Sequence, residues 1–337
     1  MDGNKNCDVK FSIVIPVYNV EFYLPQCLDS ILPAITDADE IRLVQGPSGD
    51  RSRKISLEYQ AQYKSIQILD QNEKGLSNAR NCGLQTALGD YILFMDSDDF
   101  VDTKTLARLL DAIRNRKYTA DLIMTDFYRY FEPSGCTRFI RQIGDRTLTG
   151  MDALPQIILG RECFWNVWRN IYRRSFLMEH SLFFKEHTHG EDIEYMTRMF
   201  LAEPDLLCVD APFYYYRMGR KESLMNTDAL ARVSETAGVL EKSISSLRES
   251  DSLWAQAVIS GFQLEYLRNL AILQEVPENQ RKAAADFACN YREVLRPARD
   301  PLVRMLAKGL DLLGVSGMAR ILALAKRMKR KREHRIP

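Results

Sequence analysis

The amino-acid sequence predicts an α/β protein with a doubly wound, mainly parallel sheet and a helical C-terminal extension. Over residues 11–124, short apolar runs alternate with segments of helical periodicity, which is the pattern of parallel strands joined by helices. One of these runs, 91–95, is apolar at every position, as in a strand covered on both faces. After about Asn226 only helical periodicity remains. We therefore expect two domains, 1–225 and 226–337.

The predicted elements have local causes in the sequence. Pro16 is expected to end the first strand because proline lacks a backbone N–H. Asn19 can cap the next helix, in which Pro25 fits only within the first turn. Pro133-Ser134-Gly135, flanked by alternating residues, predicts a hairpin within 129–148. The predicted strands are 11–15, 41–44, 66–69, 91–95, 121–124 and a pair near 206–216, and the predicted helices are 19–33, 51–63, 74–88, 106–114 and 151–159.

The charge of the chain is concentrated at its end. The net charge is +1 over 337 residues, which gives no electrostatic case for binding nucleic acid. Residues 326–337 hold seven basic side chains against Glu333, a local +6, and they follow leucines at helical spacing. Two interpretations stay open: a basic amphipathic tail that lies on an anionic membrane surface, or a solvated charge run after a packing helix.

The cysteines and the N-terminus predict a cytoplasmic protein. The seven cysteines are scattered and never spaced as C-x-x-C, which argues against a disulfide framework or a zinc site. Residues 1–10 lack the apolar core of a signal peptide, and no run is long enough to span a bilayer. If the tail binds lipid, we expect a peripheral protein on the inner face of the plasma membrane. His187-x-His189 invites a zinc interpretation, which we decline because the segment lacks the H-E-x-x-H spacing.

Three carboxylates directly follow the apolar run 91–95. In an open α/β sheet, ligands bind beyond the carboxyl ends of the strands, where Asp96, Asp98 and Asp99 are expected. Side chains two apart in an extended segment point the same way, so Asp96 and Asp98 can face one divalent cation. Oxygen ligands favour Mg²⁺ or Mn²⁺. A solvated turn with a helix cap is the plainer interpretation, and the buried strand in front of it favours the ligand site.

Four segments together resemble a known family. Residues 11–19, 75–81, 89–99 and Gly190-Glu191-Asp192 are similar, in order and spacing, to the signature of inverting GT-A glycosyltransferases of family 2, of the bacterial surface-polysaccharide type. The resemblance covers about residues 10–226 and implies the nucleotide-diphospho-sugar transferase fold, a nucleotide-sugar donor, usually a UDP-sugar, and Mn²⁺ or Mg²⁺. It implies a hexosyltransferase that adds a sugar to a glycan or lipid-linked acceptor for capsule, exopolysaccharide or O-antigen. The Gln-x-x-Arg-Trp motif of processive synthases is absent, which favours a single addition.

The resemblance also implies roles for individual residues. Asp98 matches the metal ligand, and Asp96 matches the contact to both nucleotide and metal. Asp192 matches the catalytic base, with Glu191 as the alternative, because a carboxylate can accept the proton of the attacking hydroxyl. Arg217 and Arg220 fall where related enzymes close a loop over the diphosphate. The remaining predicted contacts to the nucleotide donor are Pro16, Val17, Tyr18, Arg80 and Ser97, together with Gln45, where the chain departs from the family.

One departure from the family pattern concerns recognition of the nucleobase of the donor. The family usually has two aspartates after the second strand, and this chain has Gln45 and Gly46 there. Base recognition must then depend on backbone groups, Gln45 or Asp50, and a catalytically weakened scaffold remains an alternative. A sugar nucleotidyltransferase is disfavoured, because the loop 16–19 has neither glycine nor charge to grip a triphosphate.

Overall fold

The computed structural model describes residues 9–71, 73–132, 134–158, 165–219 and 229–333. The chain divides into two compact units. The first unit comprises Met1–His187 with Arg198–Arg220, and the second comprises Thr188–Thr197 with Lys221–Pro337. The boundary between two domains at residue 225 stays a prediction.

The first unit is built on a mixed sheet. Within the described ranges its strands are β1 (Phe11–Val17), β2 (Glu40–Gln45), β3 (Ile66–Asp70), β4 (Tyr91–Phe94), β5 (Phe100–Val101), β6 (Leu122–Phe131), β7 (Cys136–Ile140), β8 (Leu148–Thr149), β9 (Asn170–Arg173) and β10 (Leu206–Met218). The main order is β3-β2-β1-β4-β9-β6-β10-β5, with β7 beside β6 and β8 beside β10. β1 to β4 are mutually parallel, whereas β9 runs antiparallel to both β4 and β6. The predicted α/β class is confirmed.

Helices cover both faces of the parallel strands. The helices of this unit are α1 (Leu24–Ile31), α2 (Ser52–Gln62), α3 (Leu76–Thr86), α4 (Thr103–Arg114), α5 (Ala153–Ile158) and α6 (Arg174–Glu179), and α7 (Glu191–Leu201) crosses the boundary between the units. On one face, the buried sides of α1 and α4 pack with Phe11, Ile13 and Ile15 in a single apolar cluster. On the other face α3 packs closely on β1, where a Cβ at Gly83 would lie 2.3 Å from Val14 Cγ1. Because β1, β2 and β4 run parallel, their carboxyl ends lie at one edge of the sheet.

The expectation that Pro16 ends β1 is wrong, because β1 continues to Val17. The Val14 carbonyl accepts a hydrogen bond from the Met95 N–H, so Val14 and, two residues later, Pro16 face the β4 side. Pairing with β4 ends at Val14, whereas pairing with β2 continues through Pro16. The missing N–H of Pro16 therefore falls where no ladder hydrogen bond is required.

The expected start of α1 at Asn19 is also wrong. Asn19 has a left-handed backbone, with φ 49°, and α1 begins at Leu24. The Asn19 side-chain oxygen instead accepts a hydrogen bond from the Gly49 N–H, 2.9 Å away, and so joins the loops after β1 and β2. Pro25 does lie in the first turn of the helix, as expected.

The later strands differ most from the prediction. The expected strand pair near 206–216 is one continuous strand, β10, which runs parallel to β6 with a register shift between Val209 and Tyr214. β9 was not predicted at all. The hairpin is confirmed, since β6 and β7 pair antiparallel around the turn.

The second unit is helical in the part that is described. After α7, its helices are α8 (Ala229–Leu247), α9 (Leu253–Leu270), α10 (Glu278–Asn290) and α11 (Pro301–Glu333). α11 is two helical segments joined at Gly314, where φ is 66° and ψ is 172°. α8 packs against α9 and α10, and α11 packs against α9 and the 3-10 turn Ala271–Gln274. None of the described helices is both long enough and apolar enough to cross a bilayer.

Candidate active site

The carboxylate loop, Asp96–Asp99, follows β4 at the carboxyl edge of the sheet. Arg80 of α3 donates a hydrogen bond from Nη2 to Asp96 Oδ1 over 3.0 Å. The Arg80 side chain is only 2% exposed, and its guanidinium lies 5.1 Å from the centre of the Phe184 ring. Such a buried, charge-assisted contact holds the Asp96 carboxylate in place. The prediction had placed Arg80 near the nucleotide, and the structure brings it to the carboxylate loop.

The buried member of the loop is Asp99. Its carboxylate accepts hydrogen bonds from the Tyr214 hydroxyl and the Arg217 backbone N–H, each over 2.7 Å. Burial raises the pKa of Asp99 well above its usual value, and the nearby Asp98 and Asp96 carboxylates raise it further. The Tyr214 oxygen also accepts a hydrogen bond from the Asp96 N–H, so one buried tyrosine joins two positions of the loop. Tyr214 was not among the predicted site residues.

Arg217 supports the loop from β10. Its Nε donates to the Asp98 carbonyl over 2.6 Å, Nη2 donates to Gln26 Oε1 over 2.6 Å, and Nη1 pairs with Glu132. The guanidinium also packs about 5 Å from three aromatic rings, those of Tyr23, Phe100 and Tyr130. The predicted diphosphate contact of Arg217 stays a prediction, and what the structure places there is a buried support of the loop. Arg220 lies outside the described residues.

The two predicted metal ligands differ from Asp99 in exposure. The Asp96 side chain is 24% exposed and Asp98 is half-buried, whereas Asp99 and Ser97 are buried. Carboxylate oxygens that solvent can still reach suit a cation such as Mg²⁺ or Mn²⁺, which keeps several water ligands. The residues present therefore fit a divalent cation at Asp96 and Asp98.

A cavity of about 400 Å³ lies at the ends of β2 and β3. We call it the Gln45 cavity, and it is lined by Gln45, Gly46, Pro47, Ser48, Arg53, Asp70, Gln71, Glu73 and Lys74. Gln45 is 3% exposed, and its Nε2 donates to Ser56 Oγ over 2.7 Å. The Ser56 hydroxyl in turn donates to the Ser52 carbonyl over 3.0 Å, so Oγ can only accept from the amide. Within the described part of the chain, Gln45 Oε1 has no hydrogen-bond partner.

The loop after β1 contacts the loop after β2. The Gly46 N–H donates to the Val17 carbonyl over 2.8 Å, and a Cβ at Gly46 would lie 3.2 Å from the Tyr18 ring. Tyr18 is 39% exposed, and Lys74 Nζ lies 5.2 Å from the centre of its ring. Pro16, Val17 and Tyr18 are therefore placed beside Gly46, at the end of β2 that leads into the Gln45 cavity.

The predicted base lies at the start of α7, in the second unit. Glu191 and Asp192 occupy the first helical turn, after Gly190 with φ 84°. The Gly190 carbonyl accepts hydrogen bonds from the Ile193 and Glu194 N–H groups, which begins the helix. Both carboxylates are half-buried. Their catalytic assignment stays a prediction.

The two histidines before α7 have separate surroundings. His187, Glu73 and Glu186 are exposed, and their ligand atoms lie within 4.8 Å of one another. His189 Nε2 lies 3.7 Å from Glu235 Oε2. Exposed groups of this kind are common on protein surfaces and form ion pairs of little energetic weight.

Comparisons with known proteins agree on one family. Residues 12–179 match the profile of Glycosyl transferase family 2. The chain is 31% identical over 209 residues to "Uncharacterized glycosyltransferase EpsJ" of Bacillus subtilis, a match that covers 61% of this chain and 60% of that protein. It is 30% identical over 225 residues to "Glycosyltransferase GlyA" of Streptococcus pneumoniae, which covers 64% of this chain and 32% of that protein.

The fold has a close counterpart among solved structures. The crystal structure of S. aureus TarS residues 1–349 in complex with UDP-GlcNAc matches with a TM-score of 0.68 at 18% identity, over 95% of this chain and 92% of that chain. At this identity the likeness concerns the fold, which is the GT-A fold with a helical C-terminal region. Together with the profile match and the relatives, this places the chain in glycosyl transferase family 2, a family of enzymes.

Proposed function

We propose that this protein is an inverting, non-processive glycosyltransferase that moves a sugar from a UDP-sugar to a hydroxyl of a glycan or lipid-linked acceptor. The observation that carries the proposal is the carboxylate loop itself. Two partly exposed aspartates follow a buried strand of a family 2 fold, and a buried arginine holds the first of them. This is the arrangement that a metal-bound diphosphate requires at the carboxyl edge of a sheet.

The loop residues have distinct parts in the proposed reaction. When bound, Mn²⁺ or Mg²⁺ offsets the negative charge that develops on the departing diphosphate. Asp98 and Asp96 are the proposed ligands. Arg80 keeps the Asp96 carboxylate oriented, while Asp99, Tyr214 and Arg217 fix the backbone on which both ligands stand. Preorganisation of this kind lowers the cost of assembling the site around its substrate.

The proposed base is Asp192, with Glu191 as the alternative. In a direct displacement the acceptor hydroxyl attacks the anomeric carbon from the face opposite the diphosphate, and its proton passes to the carboxylate as the new C–O bond forms. The configuration at the anomeric carbon is thereby inverted. The helix dipole favours negative charge at the start of α7, where both carboxylates lie.

The Gln45 cavity is the proposed binding site of the nucleobase of the donor. Ser56 accepts from the amide nitrogen, so the buried Gln45 Oε1 is the acceptor left without a partner among the described residues. Uracil presents an N–H donor at N3, whereas cytosine presents an acceptor there, so this oxygen favours uracil. An aspartate in the usual family position would also offer an acceptor oxygen. Gln45 can therefore keep the selectivity of the missing carboxylate without its charge.

The proposed cellular role is synthesis of a surface polysaccharide such as capsule, exopolysaccharide or O-antigen. The TarS structure was solved with UDP-GlcNAc, which supports a UDP-sugar as donor. We place the reaction on the cytoplasmic face of the plasma membrane, with a peripheral protein acting on a lipid-linked or glycan acceptor.

The first test is a thermal-shift and calorimetric panel of UDP, GDP, CDP and TDP, each with and without Mn²⁺. A ligand at one hundred times its Kd raises stability by about 2.7 kcal/mol, so even modest affinity is visible. We expect stabilisation by UDP that requires Mn²⁺. Stabilisation by CDP alone would overturn the assignment of Gln45, and no response to any nucleotide would favour an inactive scaffold.

The second test concerns stereochemistry. NMR of the newly formed glycosidic bond, compared with the donor, reads the anomeric configuration directly. We expect the opposite configuration in the product. Retention would overturn the direct displacement and the role of Asp192 as base.

A further inference from the structure

The second segment of α11 carries an apolar row on its solvent side. Ile321, Leu324 and Met328 are 49%, 58% and 59% exposed, respectively. Their spacing of three and four residues puts them on one face of the helix. We call these three residues the exposed row. Together they leave far more apolar surface in solvent than a single exposed leucine would.

The exposed row is separate from the face by which α11 packs. Val315, Met318, Ala319 and Ala323 are buried, and their spacing defines a different stripe of the same segment. A helix that only packs against its neighbours has polar residues on its outer side. This segment has large apolar side chains there, which the interpretation as a solvated charge run does not explain.

The charge beside the exposed row has one sign. Arg320 and Arg327 are exposed, and they lie seven residues apart, which places them along one flank of the row. The sequence continues with Lys329-Arg330-Lys331-Arg332. Lys326, by contrast, pairs with Glu275 over 3.3 Å and faces the packed side. The flank of the exposed row on which Arg320 and Arg327 lie is therefore cationic.

We propose that the exposed row and its basic flank form the contact with an anionic lipid bilayer. Apolar side chains enter the boundary between headgroups and acyl chains while the neighbouring arginines bind lipid phosphates. A second copy of this chain fits less well, because symmetric pairing of the row would bring like charges together. These residues hold the protein at the membrane, and the contact requires no glycosyl transfer.

Sedimentation of the full chain with vesicles tests the contact. Vesicles of equimolar phosphatidylglycerol and phosphatidylcholine are compared with vesicles of phosphatidylcholine alone, at low and at high salt and without any nucleotide. We expect binding to the anionic vesicles and weakening of that binding as salt rises. Because no donor is present, the result is independent of whether the protein transfers sugar.

Two sets of variants separate the apolar and the electrostatic parts. The triple variant Ile321→Ser, Leu324→Ser, Met328→Ser should weaken binding to anionic vesicles by at least about tenfold. Its matched control is Leu57→Ser, Leu88→Ser, Leu253→Ser, which removes three exposed leucines outside α11 and should bind as wild type. The double variant Arg320→Gln, Arg327→Gln should weaken binding by about 30-fold at low salt, with about 1 kcal/mol from each charge. Lys242→Gln, Lys282→Gln on α8 and α10 is its control.

Three results would overturn the proposal. The first is equal binding by the triple variant and its control. The second is a lack of sedimentation with anionic vesicles by a chain whose circular dichroism and Tm are native. The third is a concentration-dependent doubling of mass in analytical ultracentrifugation that the triple variant abolishes, which would assign the row to a second copy of the chain.

Discussion

The carboxylate loop and the Gln45 cavity lie at the same edge of one sheet, yet their polar groups find hydrogen-bond partners in different ways. In the loop, Asp99 receives two hydrogen bonds from β10, more than one hundred residues away in sequence, and Arg217 holds the Asp98 carbonyl. In the cavity, the Gln45 amide has a local partner on one side and an acceptor with no described partner on the other. Distant residues of the fold thus supply the hydrogen-bond partners of the loop, whereas we infer that a ligand supplies the missing partner in the cavity.

The largest effect is expected from Asp98→Asn. The amide keeps the size of the side chain but removes the charge that would hold the cation. We expect the rate of transfer, or of donor hydrolysis without acceptor, to fall about a thousandfold, which corresponds to about 4 kcal/mol. The Tm should stay close to wild type.

The control is Asp37→Asn, an exposed carboxylate before β2 that should leave the rate unchanged. A wild-type rate for Asp98→Asn would remove this residue from the mechanism. Loss of rate with a large drop in Tm would point instead to a structural role for its carboxylate.

Arg217→Met tests whether the hydrogen bonds of Arg217 stabilise the carboxylate loop. The side chain is 2% exposed, and its removal leaves Glu132, Gln26 and the Asp98 carbonyl without their donor. We expect a loss of about 3 kcal/mol in the free energy of unfolding, measured by urea denaturation. Arg108→Met on the exposed side of α4 is the matched control and should change stability by less than about 0.5 kcal/mol.

A different outcome for Arg217→Met would assign this arginine to ligand binding. Unchanged stability together with lost affinity for UDP would mean that this guanidinium contacts the diphosphate, as the sequence had indicated. Arg217 would then bind the ligand rather than support the loop.

Gln45→Leu tests whether a ligand supplies the missing hydrogen-bond partner in the Gln45 cavity. Leucine has a similar volume but offers no acceptor to a base, so we expect the Kd for UDP, measured by calorimetry, to rise about tenfold, which is the typical weight of one hydrogen bond. Gln67→Leu on β3 is an exposed control. An equal loss of affinity for CDP and UDP would contradict the role of Oε1 in selecting uracil.

The sequence revealed the parts of the site that depend on neighbours along the chain. Asp96 and Asp98 stand directly after an apolar strand, so their place at the sheet edge could be predicted. The contacts of Tyr214 and Arg217 with Asp99 could not, because they join residues 115 and 118 positions apart. Arg217 was predicted only as a contact to the nucleotide donor. β9 was missed for a similar reason, since its four residues pair with β4 and β6 and carry no periodic signal of their own. Gln45 was visible as a departure from the family, but its fixed orientation depends on the fold of α2.

The smallest effect is expected at the rim of the Gln45 cavity, where Arg53 pairs with Asp70. Both side chains are more than half exposed, so Arg53→Gln should change stability by less than about 0.5 kcal/mol. The hydrogen bond from Arg53 lowers the pKa of Asp70, so the pair contributes above the unfolded pKa of about 3.9 and is lost as pH falls through the folded value. NMR titration of the Asp70 carboxyl should therefore show its pKa rising toward the ordinary value in Arg53→Gln. If the same variant also weakened UDP binding as much as Gln45→Leu, the rim as well as the buried amide would recognise the base, and the cavity would depend on charge where we infer a neutral acceptor.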